Sequence, residues 1–142
     1  MAYQLVFYRF ENGDPAPVNS ARLRSVLGAH GIMAPEHEYV ELTDGLSVEI
    51  HVRLAEETTE EVLLEFSGTS DVLFQLVFAL MVAGPMTALV VDEPTTPLLT
   101  DAALSAHLPD GDLAEPVVCN SWHDVATAIL PPFETWADWA GV

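Results

Sequence analysis

The chain has no lysine and only four arginines, and this scarcity of positive charge bounds its function more than any residue it carries. Against the four stand 22 Asp and Glu in 142 residues, a formal charge of -18 at pH 7. Bare nucleic acid and anionic membrane surfaces are both bound through cationic side chains. Neither is expected as a direct partner. A GC-rich coding bias exchanges Lys for Arg, but it does not explain why so few Arg remain. Cysteine is nearly absent as well. Cys119 stands alone, which excludes an internal disulfide framework and fits a reducing compartment. Long apolar runs are also missing. The longest, 72–83, is interrupted by Gln75, closed by Gly84 and Pro85, and too short to span a bilayer. Residues 1–10 lack the basic start and small-residue cleavage site of a signal peptide. A cytoplasmic protein is the expectation.

What is present is apolar. Half of the residues are hydrophobic, so the acid coats a folded domain and does not mark a disordered tail. One domain spanning 1–142 is expected for this length, with a core large enough to need no disulfide or metal. Charge of this size speaks to solubility, steering and partners. It suits a basic protein partner, a DNA-mimic role, or adaptation to high salt.

The pattern predicts a strand at 3–10, apolar on both faces and therefore central in a sheet. A loop at 11–18 follows, then a helix at 21–30 capped by Asn19 or Ser20, weakened by Gly28 and ended by Gly31. Asp44-Gly45 joins a hairpin of 37–43 and 46–54. In its second arm Leu46, Val48, Ile50, Val52 and Leu54 face one way, and Ser47, Glu49, His51 and Arg53 the other. Another strand is read at 60–67. The segment 72–83, capped by Thr69 or Ser70, is apolar nearly all round and should be the buried central helix. A short strand is read at 87–91. The rest is less regular: a short helix at 101–108 capped by Thr100, a brief strand at 117–119, and a helix from Ser121 to Leu130 that Pro131-Pro132 breaks. Residues 133–140 add a last helical turn or two. This is an α+β fold, an antiparallel-rich sheet with helices on one face and a helical C-terminal tail. A ferredoxin-like order with an added strand is the nearest simple topology.

Chemistry-bearing residues are scattered. His30, His37, His51, His107 and His123 show no ligand spacing, so no metal is expected. The one exception is a weak site on the hairpin, which carries His37 and, beside Glu49, His51. Cys119, His123 and Asp124 are close in sequence, but nucleophile and base need a third orienting group, and such partners usually come from distant segments. Asp124 reads as a helix-start acid and Cys119 as a structural thiol. The pairs Glu56-Glu57, Glu60-Glu61 and Asp110 with Asp112 lack a sugar cleft or a calcium-loop ligand pattern. No phosphate or dinucleotide glycine motif occurs. No cofactor and no catalysis are expected. Phe133, Trp136 and Trp139 share a helix face that either caps the core or anchors a partner.

The candidate docking surface is the sheet face away from the helices, carrying Tyr39, Glu41, Glu49, His51, Arg53, Glu61 and Glu65. Ten acids fall between Glu36 and Glu65, almost half of the total in about a fifth of the chain. With that acid on the hairpin, the elements at 3–10, 47–54, 61–68 and 72–91 resemble the small acidic immunity proteins of bacterial toxin–immunity systems. The resemblance lies in size, charge and element order. It implies a non-catalytic cytoplasmic inhibitor that binds a cognate toxin domain, such as a nucleic-acid-acting enzyme, and blocks it. It carries no residue-by-residue motif.

Overall fold

A computed structural model of the protein describes residues 2–34 and 38–141. Its centre is β1 (Tyr3–Glu11), the strand read as central from its two apolar faces. Antiparallel partners flank it, β8 (Val62–Phe66) on one side and β9 (Thr87–Val90) on the other. Beyond β8 come β6 (Ser47–His51), β5 (Tyr39–Leu42) and β4 (Gly31–Met33). Beyond β9 come β10 (Thr96–Leu99) and the parallel β11 (Val117–Val118). A two-stranded pair joins β3 (Val18–Asn19) to β7 (Thr58–Thr59). The order β9-β1-β8-β6 is the ferredoxin-like one, two β-α-β units split around each other. The sheet then grows at both ends, by β5 and β4 and by β10 and β11.

Helix α1 (Ser20–His30) starts at Asn19, whose side chain accepts hydrogen bonds from the N–H groups of Ala21 and Arg22. Gly31 ends it, and an added Cβ there would lie 2.8 Å from Val40 Cγ1 and run into the Glu41 carbonyl. Glycine is thus required by close approach of β5, with an extended backbone. Helix α2 (Asp71–Ala83) is capped by Ser70, whose hydroxyl accepts from Leu73 N–H. Helix α3 (Trp122–Ala140) follows Ser121. α2 lies between α1 and α3, in contact with both. All three bury one stripe against Leu5, Phe7, Ile50, Leu64 and Ala88 of the sheet, in one continuous core. The α+β class, the helix layer and the C-terminal helix are as the sequence suggests.

Four expectations change. Residues 11–18 are not a loop: Asn12-Gly13, both at positive φ, turns the chain into β2 (Asp14–Ala16), which pairs back on β1. Asn-Gly is the residue pair such a tight turn prefers. Pro131-Pro132 do not break α3. Two backbone donors are lost there. The stripe Val125, Ile129, Phe133 stays buried on both sides of the prolines and holds the axis together. Thr135 donates its hydroxyl to Pro131 O and Thr127 to His123 O, ordinary contacts one turn back that do not replace the two lost bonds. The segment at 101–108 is a 3-10 helix, Ala102–His107, capped by Asp101 and not Thr100. The second hairpin arm leaves the ladder at His51, before Val52–Leu54.

Candidate functional site

The hairpin turn is built from Thr43, Asp44 and Gly45. Leu42 donates its N–H to Leu46 O and accepts from Gly45 N–H, and Gly45 takes the left-handed conformation that glycine tolerates. The Asp44 carboxyl is held below its usual range, first by the Ser70 hydroxyl and then by Leu46 N–H. One residue, Ser70, thus ties the hairpin turn to the start of α2.

The register fixes which side chains share rows on the face away from the helices. Tyr39 stands opposite Glu49, Glu49 opposite Glu65, and Glu65 opposite Gln4. This row crosses four strands, β5 to β1. The next row runs His51, Leu63, Val6, Leu89 and Pro97. Leu63, Val6 and Leu89 are half-buried although no α-helix covers them. A polar, acidic row therefore lies directly beside an apolar one. Sequence periodicity suggests the first row within each strand, but not the lateral pairing.

The face is open only in part. On β10, Pro97 and Leu99 point away from the α-helices and are nonetheless buried. The 3-10 helix contacts β1 and β10, and Gly13 N–H donates to His107 O at 2.9 Å. The exposed part is the β5-β6-β8 end, where the sequence places its candidates.

Those candidates divide into two groups. Glu49, His51 and Glu65 converge: His51 Nε2 lies 3.8 Å from Glu49 Oε2 and 4.0 Å from Glu65 Oε1. Gln4 Nε2 donates to Glu65 Oε1 at 3.0 Å. Tyr39 adjoins this group through its pairing with Glu49, and its ring is about half exposed at 48%. Glu41 is exposed on the same face, one row further out. Arg53 and Glu61 do not join the triad. They line an adjacent hollow of about 630 Å³ with Glu38, Glu56 and Glu60, and His51 connects the two. Glu61 accepts a hydrogen bond from the Tyr8 hydroxyl, whose pKa is raised by burial and then by that carboxylate. His37 and Glu36 lie outside the described residues. Among the described residues no arginine lies within ion-pair distance of a carboxylate on this face, and His51 is the basic side chain nearest to Glu49 and Glu65.

The Cys119–His123–Asp124 group does not assemble as a nucleophilic site. Cys119 is fully buried, while His123 is exposed and stacks on Trp122 with ring centres 3.7 Å apart. The Asp124 carboxylate accepts from Asn120 N–H at 2.8 Å, a helix-start contact. Burial, and then the charge of Asp124, push the Cys119 thiol up to about 11, so the reactive thiolate is suppressed. The fold prefers the neutral thiol. Its contribution is therefore complete below the ordinary thiol pKa of 9.0 and is lost as pH rises toward about 11. Tyr3 acts in the same sense, its pKa raised by burial and by donation to Asp92. Melting temperature should fall between pH 9 and 11, and less steeply in Cys119→Val. A profile identical in that variant would remove Cys119 from the account. In native protein at pH 8 the thiol should ignore Ellman's reagent, and it should react fully in denaturant.

On α3, Phe133 and Trp136 pack around Tyr3, with ring centres 5.6 Å from it. They serve the core. Trp139 is 74% exposed and does not. No helix among the described residues is long and apolar enough to cross a membrane. Comparison with protein-family models, with curated proteins and with solved structures finds no match for this chain.

Proposed function

We propose that this protein is a non-catalytic acidic inhibitor of the immunity type, which binds a basic protein partner on its open sheet face, from β5, β6 and β8 across to the neighbouring β1 and β9. The observation that carries the reading is the pair of rows on that face. Tyr39, Glu49 and Glu65 form a negative strip without an arginine partner, beside the half-buried apolar strip of Leu63, Val6 and Leu89. Interfaces combine such an apolar strip with a charged rim, the first supplying affinity and the second orientation. A toxin domain that acts on an anionic substrate has the complementary charge. The hollow lined by Glu38, Glu56, Glu60 and Glu61 extends the same negative surface.

The test is affinity capture from the native host, with wild type, Glu49→Lys, Glu61→Lys and Asp101→Lys as baits. A basic protein retained by wild type and by Asp101→Lys, but lost from both hairpin-face variants, supports the reading. Equal retention by all four baits would show unspecific ionic adsorption. A protein that unfolds below molar salt, and folds without a partner above it, would assign the charge to a saline environment instead.

A further inference from the structure

We infer that Glu49, His51 and Glu65 form a binding site for a divalent transition-metal ion, zinc being the best fit. The site goes beyond the docking reading and stands without it. The three side chains come from two adjacent strands. Glu49 and His51 share a face because they are two apart on β6, and Glu65 is the cross-strand partner of Glu49 on β8. One ligand atom from each lies within 4.8 Å of the other two. Ligands around a zinc ion at about 2.1 Å stand roughly 3.4 Å apart in tetrahedral geometry. The side chains are 20–50% exposed, so small rotations close the difference without moving the sheet.

Electrostatics favours a cation at this spot over others on the acidic coat. Like charges directly opposite on neighbouring strands repel. Glu49 and Glu65 are such a pair, and no arginine lies within ion-pair distance of either. The net charge of -18 raises the local concentration of cations around the molecule. What distinguishes this cluster from a plain group of carboxylates is the imidazole between them. A neutral imidazole nitrogen and two carboxylates suit zinc, cobalt or nickel, whereas magnesium and calcium demand oxygen ligands. The ligand Glu65 is also held by a residue outside the cluster: Gln4 Nε2, on β1, donates to Oε1, the same oxygen that lies 4.0 Å from His51 Nε2. Such an outer contact fixes a ligand before the ion arrives. The remaining coordination positions face solvent and are left to water.

Zinc chloride titrated into tag-free, chelator-treated protein, followed by calorimetry, tests the site. Cobalt chloride in parallel gives an absorption spectrum that reports nitrogen and oxygen ligation. One zinc per chain is expected, with affinity at least tenfold weaker in His51→Ala and in Glu65→Gln, and unchanged in His123→Ala. Cobalt should give a ligand-field band in wild type that His51→Ala loses. His51 is about half exposed, so these variants keep the fold, which a thermal melt verifies. Zinc held equally by wild type and His51→Ala would show a diffuse counter-ion cloud and overturn the site. So would magnesium matching zinc in stoichiometry and affinity, and so would an absence of saturable binding.

Discussion

Truncating Leu76 to alanine is expected to destabilise the protein by roughly 2–5 kcal/mol, the range of large-to-small changes in a packed core. Leu76 is fully buried in the middle of α2, and α2 is the central helix of its layer. Around it on the same helix, Leu73, Val77 and Leu80 are equally inaccessible. The removed methyl groups leave a void that a helix held on both sides collapses poorly to fill. For a domain of this size the loss corresponds to a melting temperature lower by on the order of 10–20 °C. The same helix supplies its own control. Val82 is 56% exposed, so Val82→Ala should change stability by no more than about 0.5 kcal/mol. Denaturant melts of the two variants side by side decide the matter. Equal effects would mean that α2 does not sit in the core, and its apolar surface would then have to meet a partner.

The same helix shows why much of the fold was legible. Its run of apolar residues, with Ser70 before it and Gly84-Pro85 after, leaves no amphipathic alternative, and the structure gives Asp71–Ala83. The alternation along Leu46–Leu54 likewise states which residues of β6 face inward. Where the reading departs, a tertiary contact overrides a local signal. Strand β10 has no counterpart in the sequence reading, and it holds Pro97, although proline cannot donate to a ladder. The proline is tolerated because β11 reaches only Leu98 and Leu99, leaving Pro97 paired on one side alone. Pro131-Pro132 argued for a helix end, and the buried stripe of α3 prevailed. Strand β4 was missed because Gly31 reads as a helix stop, and it serves as both stop and strand start.

The site was half legible for a related reason. Spacing within one strand fixes a face, so Glu49 and His51 could be placed together from sequence. Glu65 follows 14 residues after His51, and only the β6–β8 register sets it opposite Glu49. Arg53 shows the reverse. Period-two counting put it on the same face, but the strand ends at His51, and Arg53 turns into the neighbouring hollow. The apolar row of Leu63, Val6 and Leu89 was invisible as a unit, because its members come from three strands that are far apart in the chain.

These two rows lead to a kinetic expectation. A basic partner approaching the β5-β6-β8 end meets uncompensated carboxylates, and the attraction acts over about 8 Å in physiological salt. Charge complementarity of this kind mainly accelerates encounter, and the packed contacts set the lifetime of the complex. Glu49→Lys lies in the centre of the acidic row and Glu61→Lys at the rim of the hollow. Each reversal should slow association by on the order of tenfold at low salt, with the difference shrinking as salt rises. Dissociation should change far less. Tyr39→Ala should behave in the opposite way. Its half-exposed ring beside Glu49 is the aromatic group of the acidic row, so its removal should speed dissociation and leave the salt dependence of association intact. Asp101 follows directly on β10, which lies three strands from β8 in the sheet order, and Asp101→Lys should leave association nearly unchanged. Stopped-flow or surface-binding kinetics across a salt series, with the captured partner, separates the cases. If reversal at Asp101 slows association as much as reversal at Glu49, steering comes from the total charge and the hairpin face has no special part in it. If Tyr39→Ala leaves the dissociation rate unchanged, the partner seats elsewhere and the acidic row only guides it there.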